Sequence, residues 1–526
     1  MSAPTPRASL GLRLPLGPAG RSWRRLRRRP RSMQLRTILM ILAVILGLVA
    51  WLVLAPANLP LSSPFAGATE KPTAEPTAQP AADTFTPTPV SQASTSSRGV
   101  TSSSINVVFP VISLTSIAGR LGLAEDREYG QQTKAIHLYV NQINAEGGIN
   151  GRKINAMIVP YDPTDTAAQE ALCKQWTEGN PPVFAVIDGV GTWEGDNELC
   201  ITQEGHTPMI AQWSTITDWT ELGSPYLWWT GVDDAPLLKA LVSWGQSSGR
   251  LGKGIKLGIA VSDQASDQAA LNQYLLPDLK KLGIKPVSVE TIASDTSESA
   301  QTSSDAQLAV ERFKAAGVQS VIPLLPENSF FPYLGDETSQ KYFPKLLLSD
   351  YQSTVELALG LLPPGPYETA LDGQEGVTAE TLGGFDDARP QSQGGYDPGV
   401  RSCYQTWHKA YPKPISGSTS YYIEEQGPIQ AWCTSIRLFA QAATKAGKDL
   451  NRRTFVTAMS HISNFAGGFS PVWSFSPTKM YGPTEYQVVK IHNNVPPSSQ
   501  CVLKTNHKPQ GTCWVVIQKW QPLPAA

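Results

Sequence analysis

Two segments of contrasting composition precede residue 105, the first apolar and the second mostly polar and proline-rich. Nineteen uncharged and mostly apolar residues, 37–55, are followed by a stretch rich in Pro, Thr, Ser and Ala at 56–104. A helix of that apolar length spans roughly 28 Å, close to the hydrocarbon core of a bilayer. The following stretch buries too little apolar surface to fold, so it predicts an extended, disordered linker.

From residue 105 onward, buried strands alternate with amphipathic helices. Residues 105–111 are apolar except for Asn106, which predicts a buried strand. Apolar side chains then recur at helical spacing from Ile136 to Ile143. The alternation continues to about residue 350. Strands separated by helices predict parallel sheets covered on both faces. This region holds too many units for one sheet, so we expect an α/β fold of two doubly wound lobes.

The basic residues predict the orientation of the apolar segment. Residues 1–36 contain ten arginines and no acidic side chain, which indicates a basic cytoplasmic tail before a single-pass membrane anchor at 37–55. A cleaved signal peptide is the alternative, because Ala55-Pro56-Ala57 resembles a cleavage site. Both interpretations place the main domain outside the cytoplasm.

The charge balance of the exported part argues against nucleic-acid binding. The ten arginines of the tail leave 33 of the 43 basic side chains against 44 acidic ones. A domain with that acidic excess does not attract phosphate backbones. We therefore expect no nucleic-acid partner.

All six cysteines lie in the exported part. An even number in an oxidising compartment predicts three disulfides, and no pair has the close spacing of zinc ligands, so no metal site is expected. Sequential pairing is the simplest of the fifteen possibilities. It joins Cys173 to Cys200, Cys403 to Cys433 and Cys501 to Cys513.

One segment carries a resemblance to a known family. The sequence INAEGGINGRKI at 143–154, followed by Tyr161-Asp162 and Asp165, resembles the first-lobe signature of type I periplasmic binding proteins. The leucine/isoleucine/valine-binding branch of the substrate-binding proteins of ABC transporters is the most similar. Weaker matches follow at 230–233, 314–318 and 475–477, so the resemblance covers roughly 105–520.

The resemblance implies two lobes joined by three crossover strands, with each lobe assembled from separate parts of the chain. Lobe one would comprise 105–231 with 384–470, and lobe two 232–383 with 471–526. It also implies a function without catalysis or cofactor. The lobes would close around a small molecule, such as an amino acid, an amide or a related ligand, for delivery to an ABC permease.

In lobe one, the resemblance places ligand contacts in the loops that follow two strands. The strand at 183–187 leads into a glycine-containing loop whose backbone a ligand could approach closely. Hydroxyls after the next strand would donate to the ligand, although a tight turn and helix caps are the alternatives. The candidate residues of lobe one are Gly191, Thr192, Trp193, Ser214 and Thr215.

In lobe two, acidic side chains follow several strands. A carboxylate at this edge would pair with a ligand ammonium, as it does in amino-acid-binding relatives, whereas the alternative is a solvated loop charge. The candidate residues of lobe two and its crossover are Asp233, Asp267, Glu327, Asp350 and Tyr351. Tryptophans crowd the lobe-one edge and Ala265-Ser266-Asp267 replaces the family's usual Tyr-Gly, so branched-chain amino acids are in doubt as ligands.

Three other classes of protein compete with the receptor. The sequence has no G-x-S-x-G, H-E-x-x-H or P-loop motif, which disfavours an enzyme. A ligand-sensing ectodomain of the same fold would explain an uncleaved anchor, but the 36-residue tail is too short for a signalling domain, so a partner would have to signal. A structural protein of the cell surface predicts no cleft and no stabilisation by small molecules.

Overall fold

The computed structural model describes residues 88–113, 127–162, 165–188, 196–212, 217–294, 299–351, 367–379, 398–412, 431–467, 471–495 and 511–525. All of them belong to one compact unit, 84–526. The expected tail, the anchor at 37–55 and most of the linker lie outside the described residues. Within the described ranges, no helix is both long enough and apolar enough to cross a bilayer.

Lobe one is built on a five-stranded sheet in the order β2-β1-β3-β4-β5, and every neighbouring pair is parallel. The strands β1, β3, β4 and β5 are apolar and almost fully buried, as parallel strands covered on both faces must be, whereas the edge strand β2 is only partly buried. Their bounds are Ser104–Ile112 (β1), Lys153–Tyr161 (β2), Ala185–Ile187 (β3), Met209–Ala211 (β4) and Leu227–Trp229 (β5).

Lobe two is built on a seven-stranded sheet in the order β12-β11-β10-β9-β8-β6-β7. Strands β6 to β10 run parallel, whereas β11 and β12 form an antiparallel hairpin at one side. The bounds are Leu257–Ser262 (β6), Ser288–Ile292 (β7), Ser320–Leu324 (β8), Lys345–Ser349 (β9), Glu375–Thr378 (β10), Glu485–Val495 (β11) and Gly511–Pro522 (β12). The two parallel sheets confirm the predicted α/β class.

Helices follow the strands in both lobes, as right-handed crossovers between parallel strands require. The helices up to the start of lobe two are Arg127–Ala145 (α1), Thr166–Thr177 (α2), Asp196–Leu199 (α3), Thr217–Leu222 (α4) and Asp234–Ser247 (α5). The later ones are Ala265–Ala269 (α6), Leu276–Lys281 (α7), Ser299–Ala316 (α8), Glu327–Ser339 (α9), Tyr367–Leu371 (α10), Pro398–Ala410 (α11), Cys433–Ala446 (α12) and Arg452–Met459 (α13). Short π-helical segments at Cys200–Glu204 and Ala270–Leu275 extend α3 and α6.

The family-like motif at 143–154 has a structural explanation. Helix α1 ends at Ala145, and Gly148 adopts a φ of 73°, where an added Cβ would lie 2.1 Å from the carbonyl oxygen of Arg152. The side chain of Asn144 accepts from the backbone of Ile154 at 2.8 Å and donates to the same residue at 2.9 Å. The motif therefore ties the end of α1 to the start of β2.

Two apolar layers cover the two faces of the lobe-one sheet. Side chains alternate along β1, so that Phe109 lies in the layer formed with α1, α12 and α13 while Val108 lies in the opposite layer. That opposite layer continues into lobe two through α5 and β6. A third apolar cluster, which includes Phe313 and Tyr333, fills the far face of the lobe-two sheet.

Two disulfides tie helices of lobe one together. Cys173 of α2 is bonded to Cys200, and Cys403 of α11 is bonded to Cys433 of α12. These two bonds confirm two of the three sequential pairings. In the third predicted pair, Cys501 lies outside the described residues.

Candidate functional site

The carboxyl ends of the parallel strands define the edge where a ligand of this fold class binds. In lobe one, Asp188 directly follows β3 and Gln212 directly follows β4. In lobe two, Ser262 ends β6 and Ser349 ends β9. All four side chains are buried, so both sheets end in buried polar groups at this edge.

The predicted ligand residues of lobe one, Gly191, Thr192, Trp193, Ser214 and Thr215, lie outside the described residues. The residues on either side of the two loops are described. The amide of Asp188 donates to the carbonyl of Ile210 at 2.9 Å, which fixes the exit of β3 against β4. The two loops that carry the predicted residues therefore leave the sheet from adjacent strands.

Gln212 is a candidate that the sequence did not reveal. Its side chain is 1% exposed, and among the described residues neither its amide nitrogen nor its amide oxygen has a hydrogen-bond partner. A buried carboxamide without partners costs free energy, because it has lost its hydrogen bonds to water. Glutamine at the end of a strand has no distinctive sequence signal, so only its burial shows this feature.

Asp267 and Tyr351, both predicted in lobe two, lie together. Asp267 is fully buried, and one carboxylate oxygen accepts a hydrogen bond from the Tyr351 hydroxyl at 2.5 Å. The other oxygen accepts from the hydroxyl of Ser262. This network joins the ends of β6 and β9 and fixes the Tyr351 ring beside the carboxylate. Ser262 was not predicted from the sequence, because a serine inside an apolar strand does not by itself indicate a site.

Asp350 and Glu327 both come after strands of the lobe-two sheet. A carboxylate oxygen of Asp350 accepts from the amide of Ala379 at 2.6 Å, which links the end of β9 to the end of β10. Glu327 is the first residue of α9 and follows β8 after Leu325 and Pro326. Both residues therefore lie at the carboxyl edge of the lobe-two sheet, after different strands.

Asp233 and Asp234 lie where the chain first crosses from lobe one to lobe two. Asp233 accepts from the hydroxyl of Thr220 at 3.1 Å, whereas Asp234 accepts from the backbone amide of Thr217 at 3.0 Å and from its hydroxyl. Asp234 is fully buried, and this burial raises the pKa of its carboxyl group to about 7 although the bonds from Thr217 oppose the shift. The predicted ligand residue Asp233 therefore also anchors α4 to the crossover.

A half-buried lysine holds the third crossover, which runs between α13 and β11. The Lys479 ammonium donates to the carbonyls of Ser474 at 2.7 Å, Tyr481 at 2.5 Å and Gly482 at 3.1 Å, and lies 4.0 Å from the centroid of the Tyr481 ring. Burial lowers the pKa of Lys479 to about 7, against the attraction of Asp233. The amide of Trp229 at the first crossover donates to Met480 at 2.8 Å, so the two crossovers are held side by side.

The lobes also contact each other away from the crossovers. The carboxylate of Asp218 in α4 accepts from the Tyr274 hydroxyl at 3.0 Å and from the Gln273 amide at 3.1 Å. Both donors belong to the π-helical segment of lobe two. Among the described residues, no three His, Cys, Asp or Glu side chains lie close enough together to hold a metal ion.

The comparisons with known proteins agree with this geometry. Residues 125–361 match the model of a family described as periplasmic binding protein. The two lobes with their parallel sheets have the fold of type I periplasmic binding proteins, as the resemblance in the sequence predicted. No curated protein matches the sequence.

Several solved structures share the fold. One is a fatty acid ABC transporter substrate-binding protein from Thermomonospora curvata, 18% identical, with a TM-score of 0.55 over 80% of this chain and 93% of the other. A branched-chain amino acid ABC transporter protein from Thermus thermophilus with bound valine is 15% identical, with a TM-score of 0.55 over 81% and 98%. A solute-binding protein from Rhodopseudomonas palustris BisB5 in complex with 3,4-dihydroxybenzoic acid is 14% identical, with a TM-score of 0.55 over 80% and 98%.

Proposed function

We propose that this chain is an extracytoplasmic solute-binding receptor that closes around a small molecule and delivers it to an ABC permease. The observation that supports the proposal most is the two-lobed fold, in which buried polar groups end the strands of both sheets at the same edge. Two proteins of this fold, one with bound valine and one in complex with 3,4-dihydroxybenzoic acid, support a small organic acid as the ligand.

The ligand would lie between the lobe-one loops that follow β3 and β4 and the lobe-two edge formed by Asp267 and Tyr351. A ligand that touches both lobes stabilises the closed arrangement, because its contacts exist only there. Nothing in this mechanism needs a chemical step, so we propose a receptor and not an enzyme. The ligand class is an amino acid, an amide or a related organic acid.

The proposal includes a location of the main domain outside the cytoplasm. The arginine-rich start of the chain and the apolar segment 37–55 support a membrane-tethered protein whose main domain lies outside the cytoplasm. The bonds Cys173–Cys200 and Cys403–Cys433 support the same location, since structural disulfides form and persist in oxidising compartments.

A thermal-shift panel of amino acids, amides, sugars, nucleosides and aromatic acids tests the proposal. A ligand at about 100 times its Kd adds about 2.7 kcal/mol to the free energy of unfolding and raises the melting temperature. We expect one chemical class to raise it in a saturable way. A folded protein that no class stabilises would contradict the receptor.

Replacing Thr192, Ser214 and Thr215 together by alanine tests the lobe-one contacts. The hydroxyls are expected to donate to the ligand, so the triple variant should lose binding of whichever class stabilises the wild type. Its melting temperature without ligand should stay close to that of the wild type. Unchanged affinity in the folded variant would contradict the assignment of these residues.

A ligand-sensing ectodomain is the second candidate. An apolar segment of nineteen residues is long for a cleaved signal peptide, and an uncleaved anchor favours a receptor that stays with a membrane partner. The genes that flank the coding sequence discriminate between the two. Permease and ATPase genes would support transport, whereas a kinase gene would support sensing.

A further inference from the structure

The apolar layer between the lobe-one sheet and helices α1 and α12 changes to a polar one at the cleft edge. Five side chains there are no more than 1% exposed and carry polar atoms that have no hydrogen-bond partner in the described part of the chain. They form what we call the uncharged polar cluster: Gln132, Gln212, Trp432, Thr434 and Ser435.

The cluster members extend the buried stripes of their own elements. Gln132 lies one turn before Ile136 in α1, on the face that packs in the lobe-one core. Gln212 lies two residues after Ile210 of β4 and so points to the same face of the sheet. Trp432 lies one turn before Ile436 in the same way. The three side chains therefore enter one layer from three elements.

The direction of α12 places its start at the cleft edge. Asn150 precedes β2, at the edge of the sheet opposite the cleft, and its amide donates to the carbonyl of Thr444 near the end of α12 at 3.1 Å. Helix α12 therefore begins at the cleft edge. It packs against α1 and β4, and the Trp432 ring lies 6.0 Å from that of Phe109 in β1.

We infer that the uncharged polar cluster binds an uncharged hydrogen-bonding group of the solute, such as a carboxamide, a hydroxyl or a carbonyl. The two carboxamides offer donors and acceptors, the two hydroxyls offer either, and the Trp432 indole offers a donor. None of the five side chains carries a charge that would favour an ionised group. The inference rests on the proposed function and specifies the chemistry of the part of the ligand that contacts lobe one.

The buried carboxamides in particular require an explanation. A carboxamide that is buried without partners destabilises the protein by about 1–3 kcal/mol per unsatisfied group. A site built to hydrogen-bond a polar group also rejects the analogue that lacks it, because the site's own groups then stay unpaired. Such residues lower the free energy of unfolding of the free protein and make ligand binding more selective.

Calorimetric titration of the full chain with three matched pairs tests the inference. The pairs are threonine and valine, asparagine and leucine, and 4-hydroxybenzoate and 4-methylbenzoate, whose members differ mainly in one polar group. In the pair that binds, we expect the polar member to bind at least about tenfold more tightly, as one additional hydrogen bond provides. Replacing Gln212 or Gln132 by methionine should remove that preference and leave the affinity for the apolar member nearly unchanged.

Gln169 supplies a matched control. It is also a buried glutamine of lobe one, but its amide donates to the Asp162 carbonyl at 3.1 Å and accepts from Asn197 at 2.7 Å. Gln169→Met should lower the melting temperature of the free protein without changing the preference within a pair. Gln212→Met and Gln132→Met should hold or raise that temperature, because they remove an unpaired amide.

The outcomes distinguish failure of this inference from failure of the proposed function. The inference is wrong if the apolar member of a pair binds as tightly as the polar one. It is also wrong if the two methionine variants lose stability as Gln169→Met does and retain the polar preference. In both cases the cluster is structural, and the proposed receptor function is not contradicted. If neither these probes nor the wider panel bind to the folded wild type, the proposed function itself is contradicted.

Discussion

The carboxylate of Asp267 shows how a single buried residue organises the lobe-two edge. It accepts hydroxyl hydrogen bonds from Ser262, five residues earlier, and from Tyr351, 84 residues later. The sequence places Asp267 just after a strand and predicts a ligand contact. It could not show the two donors, because their proximity depends on the parallel pairing of β6, β8 and β9.

Tyr351→Phe tests this network. Removing a hydrogen bond to a buried carboxylate is expected to cost about 1.5–3 kcal/mol in the free energy of unfolding, measured by urea denaturation. Tyr342→Phe is the control, because the Tyr342 hydroxyl donates to the uncharged carbonyl of Val318 at 2.6 Å and its loss should cost only about 1 kcal/mol. Equal losses in the two variants would contradict the special role of the Asp267 network.

Asp234 gives a pH-dependent prediction at the same scale. Burial raises the pKa of its carboxyl group to about 7, so between pH 4 and 7 the folded protein binds this proton more tightly than the unfolded chain does. Its contribution to stability is therefore present at low pH and is lost as the pH rises towards 7.

Asp234→Asn should remove this dependence, because an amide keeps an acceptor for Thr217 and does not titrate. The free energy of unfolding of the wild type relative to the variant should fall by about 2–3 kcal/mol between pH 5 and pH 8. Chemical denaturation at several pH values measures it. Parallel pH profiles for the two proteins would show that Asp234 does not titrate in this range.

At the scale of elements, the alternation of strands and helices was predictable, because parallel strands covered on both faces give continuous apolar runs. Element ends followed local chemistry, as Gly147 and Gly148 after α1 show. The inward-facing polar groups at the cleft edge were not predictable. Gln132 occupies a position of the α1 stripe where a helical pattern calls for an apolar residue, and only the packing of α12 shows that the position is buried.

The pairing of the cysteines was also predictable, since in two cases cysteines that follow one another in the sequence are bonded to each other. Removing the Cys173–Cys200 bond by alanine at both positions should cost about 3 kcal/mol in the free energy of unfolding, because a loop of 27 residues gains freedom in the unfolded chain.

Thermal and urea unfolding of this double variant, with and without reductant, measure the cost. The Cys403–Cys433 bond is intact in the variant and serves as the internal reference. A double variant as stable as the oxidised wild type would show that the bond adds nothing to α2 and its π-helical neighbour.

For the whole molecule, the arrangement of the lobes follows from where the chain crosses. The first crossover at Trp229 pairs with the third near Met480, and Lys479 fixes the third through three backbone carbonyls. These contacts hold the two crossovers together. The sequence alone could suggest crossovers only through the family resemblance, because their contacts join residues about 250 positions apart.

Closure around a solute is the central claim, and small-angle X-ray scattering of the full chain tests it most directly. Scattering is recorded while the ligand class found by thermal shift is titrated in. The account predicts a saturable decrease in the radius of gyration, with the same midpoint as calorimetric binding, and no decrease with classes that do not stabilise the protein. Binding that saturates without any change in the radius of gyration would contradict closure.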